Sequence, residues 1–300
     1  MDLLEYMRSQ NDMTQAEWEH SFEEEVRELL VLVAGSSGAG KRNGFWESAH
    51  SYLAYVDCET GALCADEGRL VYPVSDEEYA AGGIVGRFHD EEIYRVTARK
   101  KLPHELPEGV AASAQNRLLI VDVLEENSPC PALDEVLAEY RKPVVLEDEE
   151  LGELTLDKDY DTFEGEVSWC GERISLSLEV DSSSEDTWTA AVAGMKQMAA
   201  DQDAWDRDMR TFAARELTEL AREWRESADE EAPEITEESF ARRIELRSIA
   251  MDADGSFSAY FDDDDMFFGH CVVVYGTLAD GVASAVMAGW RGLGFSDRLF

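Results

Sequence analysis

Short apolar runs and alternating apolar and polar positions in the first half of the chain predict a β-rich module. β-Branched and aromatic residues that repeat with a period of two between turn residues indicate strands. The predicted strands cover residues 29–34, 46–57, 69–74, 92–99 and 118–123. Thr14–Glu17 has the spacing of a capping box and precedes Trp18 and Phe22, which predicts a helix there. A second helix is predicted over residues 132–140.

The second half opens with a hairpin whose register follows from its apolar positions. Gly171 suits the first central position of a type II′ turn, which would pair Trp169 with Ile174 and Phe163 with Val180. In that register all the large apolar side chains of both strands share one face, and the serines share the other. We therefore expect one buried face.

Two amphipathic helices and three more strands follow the hairpin. The helices are predicted over residues 188–199 and 205–224, and the strands over residues 244–251, 257–261 and 267–275. A four-residue turn between the first two of these strands would pair Leu246 with Phe261 and Ala250 with Phe257. The order β-β-α-α-β-β-β predicts an α+β domain, an antiparallel sheet packed by two long helices.

The length of 300 residues predicts two domains, since a single core rarely extends beyond about 200 residues. Glu147–Glu150 is a charged run without apolar periodicity, so we expect an exposed connector there. The expected boundaries are an N-terminal β-rich α+β module at residues 1–145 and a C-terminal α+β domain at residues 146–300.

Net charge restricts the classes of partner. The chain has 66 acidic and 26 basic residues, a formal charge of −40 at pH 7, and the acidic residues are spread over both halves. Nucleic-acid binding depends on lysine and arginine, so no nucleic-acid partner is expected. A composition bias of the genome is the simplest interpretation of this charge, and the alternative is a protein that mimics nucleic acid or binds a basic partner.

The cellular location of the protein is predicted from its lack of membrane-spanning and export signals. Its longest apolar runs are far shorter than a membrane span, and its first residues do not resemble a signal peptide, so we expect a cytoplasmic protein without a membrane partner. The five scattered cysteines lack metal-ligand or disulfide spacing, which fits a reducing compartment. Cys58 and Cys64 flank a turn, where we expect two buried thiols.

The densest acidic run is the candidate functional site. The candidate binding residues are Asp262, Asp263, Asp264, Asp265 and His270. Carboxylate oxygens are the ligands that Mg²⁺ and Ca²⁺ prefer, so a divalent cation is the one cofactor considered. The alternative is a salt-bridged strand end, because the predicted register sets Arg243 opposite Asp264 and Arg242 opposite Asp265. No catalytic set can be assembled from the sequence, so no catalytic residue is assigned.

Two other motifs are incomplete. Gly35–Lys41 fits the start of a phosphate-binding loop, but Arg42 stands where a hydroxyl should hold magnesium, so a Gly/Ser hairpin loop is the favoured interpretation. Asp157, Asp159 and Asp161 have the spacing of the first calcium-loop ligands, but the required later glycine and glutamate are missing.

Three stretches of the second half resemble the bacterial family called domain of unknown function 2262. They are Leu151–Trp169, Phe212–Leu217 and Phe261–His270, and the last is the most specific. The resemblance covers about residues 145–290, and residues 20–140 look like the companion N-terminal module of such proteins. It implies a bacterial cytoplasmic protein and supplies no catalytic residues.

Two hypotheses of function follow. We favour a non-enzymatic interaction protein, of the immunity or phage-conflict kind, in which an acidic α+β protein neutralises a basic partner. The alternative is a metal-assisted hydrolase that uses Asp262–Asp265 and His270. A shift in melting temperature on adding magnesium, manganese or calcium would favour the hydrolase, because a ligand of the native state stabilises it.

Overall fold

The chain divides into two compact units, Met1–Lys142 and Pro143–Phe300. The structure is a computed structural model that describes residues 3–82, 87–107, 110, 114–182, 184–227 and 234–289. Across these residues, no helix is both long enough and apolar enough to cross a membrane. Each unit is an α+β assembly, which confirms the predicted fold class.

The N-terminal unit is built on a closed five-stranded barrel. Its strands are β1 (Arg27–Lys41), β2 (Trp46–Asp57), β4 (Gly68–Val74), β5 (Glu92–Lys100) and β6 (Arg117–Glu125), with a short β3 (Leu63–Cys64). The pairing order is β1-β5-β6-β4-β2, and β2 pairs back with β1, which closes the barrel. The short β3 pairs with Tyr55 and Val56 of β2, beyond the residues that pair with β4. The helices are α1 (Leu3–Asp12), α2 (Gln15–His20), α3 (Asp76–Ala80) and α4 (Pro131–Tyr140).

The barrel strands are buried on both faces over part of their length, most of all in β2, which explains their long apolar runs. Tyr52 and Tyr94 lie in the interior cluster, whereas Leu133 of α4 and Trp18 of α2 belong to two clusters that pack on the outside. The predicted capping box of α2 is present, because the Thr14 and Glu17 side chains accept hydrogen bonds from each other's backbone amides.

The Gly/Ser segment belongs to β1, so its prediction as a hairpin loop is wrong. Ser37–Lys41 pairs with Trp46–His50, and the extra residues between Val33 and Ser37 form a bulge in which Gly35 has a positive φ of 87°. β-Bulges insert residues without ending a strand, and glycine accommodates the backbone that this one requires. The described chain around this segment contains no helix N-terminus that a phosphate-binding loop would need.

The C-terminal unit is one eight-stranded sheet with helices. In sheet order the strands are β14 (Gly281–Gly289), β13 (His270–Thr277), β12 (Ser256–Asp262), β11 (Glu245–Asp252), β10 (Glu172–Glu179), β9 (Thr162–Trp169), β8 (Gly152–Asp157) and β7 (Val145–Asp148). The helices α5 (Glu185–Ala199), α6 (Gln202–Ser227) and α7 (Glu237–Arg243) separate β10 from β11. This helical crossover makes β10 and β11 parallel, while the other neighbours are antiparallel, as predicted.

The β9–β10 hairpin differs from its predicted register by two residues. Trp169 pairs with Glu172, and Phe163 pairs with Leu178, because the two central residues are Cys170 and Gly171. Both have positive φ, 48° and 90°, as a type I′ turn requires. A shift of two residues preserves each side chain's face, so the predicted buried face is confirmed.

The β11–β12 hairpin contains a bulge that the sequence analysis missed. Leu246 pairs with Phe261, as predicted, but Met251 rather than Ala250 pairs with Phe257. The register shifts at Arg247, where one extra residue is inserted. Strand β13 begins at His270, three residues later than predicted, because residues 263–269 form a tight connection.

Three further expectations are corrected. The prediction of a connector at Glu147–Glu150 is wrong for its first two residues, because Val145–Asp148 forms β7 and pairs with Gly152–Thr155. The thiols of Cys58 and Cys64 are not buried, since Cys58 is exposed and Cys64 is half-buried beside the β2–β3 turn. The elements α1, α3, β3, β8 and β14 were not predicted. The first three are short or polar, whereas β8 alternates after Gly152 and β14 follows the turn signal Asp280-Gly281, so both carry signals that were overlooked.

Candidate functional site

The predicted acidic site lies at one corner of the C-terminal sheet, between β12 and β13. Asp264, Asp265 and Phe268 all have positive φ, which bends the connection through successive tight turns. The turns bring Met266 and Phe267 into the unit's core, where both side chains are fully buried. The aspartates are therefore placed by the burial of the two apolar residues that follow them.

The aspartates of this corner point to different partners. Asp262 accepts a hydrogen bond from Arg247 Nη2 at 3.1 Å, and Asp264 accepts one from Arg243 Nε at 2.6 Å. Arg243 also donates to the Asp264 carbonyl oxygen at 2.9 Å. The predicted contact between Arg243 and Asp264 is present, although Arg243 ends α7 instead of standing on a strand. Arg242 pairs with a glutamate of its own helix and not with Asp265.

Asp263 has a structural position inside the connection. Its side chain is 2% exposed and accepts hydrogen bonds from the backbone amides of Asp265, at 3.2 Å, and Phe267. Burial raises the pKa of this carboxyl, and the backbone amides oppose that shift. The Asp263 carboxylate thus accepts hydrogen bonds from backbone amides that the bent connection leaves without a strand partner.

His270 is turned towards the protein. Its Nδ1 donates to the Phe267 carbonyl oxygen at 2.7 Å, and its ring packs edge-on against Trp224 with centroids 5.2 Å apart. Among the described residues, no hydrogen bond or ion pair joins His270 to Asp262–Asp265. The same residues contain no group of three or more His, Cys, Asp or Glu side chains arranged to hold a metal ion.

The second acidic motif forms a strand connection. Asp157 ends β8 and accepts a hydrogen bond from the Asp159 amide at 2.9 Å, while Asp161 adopts a positive φ of 52°. Asp157 pairs directly with Thr162 across the turn. These three aspartates thus belong to the turn that joins β8 and β9 in a hairpin.

Two family models match the chain. The model described as an uncharacterized protein conserved in bacteria (DUF2262) matches residues 148–287, from the end of β7 to the end of β14. The C-terminal unit is therefore a DUF2262 domain. The model described as a domain of unknown function (DUF7021) matches residues 14–140, which include the barrel. No curated protein and no solved structure matches the chain.

These matches confirm the resemblance drawn from Phe261–His270 and its companion module. The DUF2262 domain and the preceding DUF7021 domain make this a two-domain bacterial protein of uncharacterised families. Neither description assigns an activity or a catalytic residue. The chemistry of the site therefore has to be argued from the geometry of the DUF2262 sheet.

The solvent face of the DUF2262 sheet carries opposed carboxylates. Glu147 of β7 lies directly opposite Glu153 of β8, and both are exposed. Glu179 of β10 lies beside Asp252 of β11 in the parallel register. Burial raises the pKa of Glu179, and the negative charge of Asp252 raises it further.

The same face continues through β9. Glu164 lies opposite Thr155, and its pKa is raised by burial and by the nearby charge of Asp157. Two arginines counter the negative charge locally: Arg173 pairs with Glu166, and Arg247 pairs with Glu245 and Asp262. We call this surface the acidic face. Its carboxylates are Glu147, Glu153, Asp157, Glu164, Glu166, Glu179, Glu245, Asp252 and Asp262.

Most of the acidic face was not predicted from the sequence. Glu147 was assigned to a connector, and Glu153 lies on a strand that was not predicted. The alternation of Glu164 and Glu166 with apolar residues was the one available signal, and it indicated an exposed face without showing what lay beside it.

Proposed function

We propose that this protein is a non-enzymatic interaction protein whose acidic face binds a basic protein partner. The observation that carries the proposal is that carboxylates on this face are held against carboxylates, as at Glu147 and Glu153. Like charges directly opposite each other on neighbouring strands destabilise a sheet. A partner that places lysine or arginine between them would relieve this repulsion on binding.

The charge of the whole chain supports the same partner. A net charge of −40 attracts a cationic protein over a long range and accelerates its association at low ionic strength. The acidic face extends from β7 to β12, so it suits a series of cationic side chains better than a single ion. An immunity or phage-conflict role, in which a basic effector is neutralised, is consistent with this chemistry.

The test compares two variants of equal charge. The face variant carries Glu147→Gln, Glu153→Gln and Glu164→Gln. The control variant carries three substitutions to glutamine at exposed glutamates of the DUF7021 domain, Glu59, Glu67 and Glu77. Both lose three negative charges, so a difference between them reports the place of the charges and not their number.

Each full-length protein is immobilised and exposed to a lysate of the host, and captured proteins are purified and titrated back. We expect a basic protein that binds the wild type and the control variant, with an affinity that falls as salt is raised. The face variant should bind it at least about tenfold more weakly, since buried interface charges contribute about 1.5 kcal/mol or more. Equal binding by both variants, or capture of an acidic protein, would contradict the proposal.

The alternative, a metal-assisted hydrolase at Asp262–Asp265 and His270, has less support. Asp262 and Asp264 bind different arginines, and Asp263 binds backbone amides. A site for a divalent cation needs several oxygen ligands that converge on one point. An increase in melting temperature with millimolar magnesium, manganese or calcium, lost in Asp264→Asn, would favour the hydrolase.

A further inference from the structure

A buried cationic cluster lies at one end of the DUF7021 barrel. Glu47 of β2 is 5% exposed and accepts hydrogen bonds from two arginines. Arg42 reaches one carboxylate oxygen through Nε and Nη2, both at 2.7 Å, and Arg117 reaches the other through Nη2 at 2.5 Å. One carboxylate therefore serves two buried guanidinium groups.

Lys101 is a third cation close to Arg42 and Arg117. Lys101 donates to Ser21 Oγ at 2.5 Å, and its ammonium lies 4.9 Å from the centre of the Phe22 ring. Burial lowers the pKa of Lys101 to about 8, and the charges of Arg117 and Arg42 contribute to the decrease, whereas Glu47 opposes it. Even so, a lysine with this pKa is mainly protonated at neutral pH.

These cations face a cavity of about 200 Å³. Arg42, Lys101 and Arg117 line it from the barrel, and Tyr6 and Gln10 line it from α1. Arg42 is fixed in place, since it also donates to the Gln10 carbonyl oxygen. The cavity is thus a preformed recess with cationic walls in a protein of strongly negative net charge.

The walls hold more positive charge than their own carboxylate neutralises. Arg42, Arg117 and Lys101 face Glu47, which leaves an excess of two positive charges. His104 also lines the cavity, but burial and the charges of Lys101 and Arg117 hold its pKa below the usual range, so its ring is neutral at pH 7. Arg117 Nε is buried and has no hydrogen-bond partner among the described residues.

We propose that this cavity binds a phosphate dianion, either as inorganic phosphate or as the phosphoryl group of a larger molecule. A dianion neutralises the excess charge of the walls, and its oxygens accept from the guanidinium and ammonium groups. Positive charges held together with little solvent contact repel one another, so an anion bound between them would stabilise the folded state.

A second cavity lies beside the first and would accommodate an organic group. It has a volume of about 330 Å³, and Lys101 and Arg117 line both cavities. Tyr52 and Tyr55 contribute aromatic surface to it, and Lys100 lies 4.8 Å from the centre of the Tyr55 ring. A phosphate ester could thus place its phosphoryl group in the first cavity and its organic part against the tyrosines.

The test measures binding of inorganic phosphate to the full chain by calorimetry and by melting temperature, with chloride at the same ionic strength as the reference. Lys101→Met removes one cation and keeps the length of the side chain. Arg117→Lys keeps the charge and removes the planar fork. The control, Arg141→Gln, removes one positive charge from an exposed position at the end of α4, outside both cavities.

We expect phosphate at millimolar concentration to raise the melting temperature of the wild type and of Arg141→Gln equally. Lys101→Met and Arg117→Lys should each bind at least about tenfold more weakly, the factor for loss of one hydrogen bond between charged groups. Without phosphate, Lys101→Met should melt no lower than the wild type, because it relieves repulsion within the cluster. That combination separates a binding role from a purely structural one.

Two comparisons identify the source of the phosphate. If phosphoserine or adenosine monophosphate binds more tightly than inorganic phosphate, the site takes the phosphoryl group of a larger molecule. If both bind equally or more weakly, the site takes free phosphate. No response of the wild type, an unchanged response in Lys101→Met, or tighter binding of succinate than of any phosphate would overturn the proposal.

Discussion

Removing the charge of Glu179 should stabilise the DUF2262 domain at neutral pH. Glu179 lies beside Asp252 across the parallel strands β10 and β11, and burial together with the Asp252 charge raises its pKa. Favourable cross-strand pairs contribute about 0.2–1 kcal/mol, and like charges directly opposite each other are destabilising. Burial of the Glu179 carboxyl is incomplete, since the residue as a whole is exposed, so water screens the pair. We therefore expect Glu179→Gln to add only about 0.5 kcal/mol to the free energy of unfolding.

The gain should depend on pH in a defined direction. The ordinary pKa of a glutamate is 4.5, and the folded state raises that of Glu179 above this value. Between the two values the folded state binds more protons than the unfolded state, so the stability of the wild type falls as pH rises through this range. The glutamine of the variant cannot titrate, so wild type and variant should differ least below pH 4.5 and most at pH 7.

Urea denaturation of the full chain, followed by tryptophan fluorescence from about pH 4 to about pH 8, measures both effects. The control is Glu172→Gln, on the same strand, because Glu172 is exposed and pairs with Trp169. In a double-mutant cycle, Asp252→Asn should add less to Glu179→Gln than it adds to the wild type. A variant no more stable than wild type at pH 7, or a gain equal at all pH values, would refute the reasoning.

Three other substitutions test the core, the acidic corner and the β7–β8 turn. Trp169→Ala should lower the free energy of unfolding by about 3–5 kcal/mol, the range for a buried aromatic side chain, and a loss below about 1 kcal/mol in urea would contradict its buried position. Asp264→Asn should change stability by no more than about 1 kcal/mol, as for an exposed ion pair, and equally with and without magnesium in thermal melts. Asp148→Ala should lower stability by about 1 kcal/mol at pH 7, because the carboxylate accepts from the amides of Glu150 and Leu151. These bonds lower the Asp148 pKa, so the loss should shrink as pH falls through that pKa, and a pH-independent loss would argue against the carboxylate as its source.

Local pattern was sufficient for most elements and for their faces. The capping box at Thr14–Glu17 and the alternation from Phe163 to Trp169 both depend on neighbours within a few residues, and both are present in the structure. The long helices also follow from their own apolar spacing. Elements with weak patterns, such as the short and charged β7, were not predicted, because tertiary pairing stabilises them.

Register was harder to predict because it depends on turn geometry. The sequence analysis placed the hairpin turn at Gly171–Glu172, whereas Cys170 adopts the left-handed conformation and moves the pairing by two residues. At Arg247 a bulge displaced the pairing of Ala250 by one residue. Neither change alters the number of apolar residues in the strands, so composition alone contains no signal for them.

The sequence by itself determined the fold class, the two-domain organisation, the family resemblance and the buried faces, because periodicity and burial are encoded along short stretches of chain. Apart from the contact between Arg243 and Asp264, which the sequence predicted, only the tertiary structure decided which charges meet. It separated Asp262 from Asp264 by giving each its own arginine, and it set Glu147 against Glu153. It also gathered three cations around one glutamate on the barrel, from positions as far apart as residues 42 and 117. Contacts between charged residues far apart in the sequence depend on sheet closure and strand order, which no local pattern specifies.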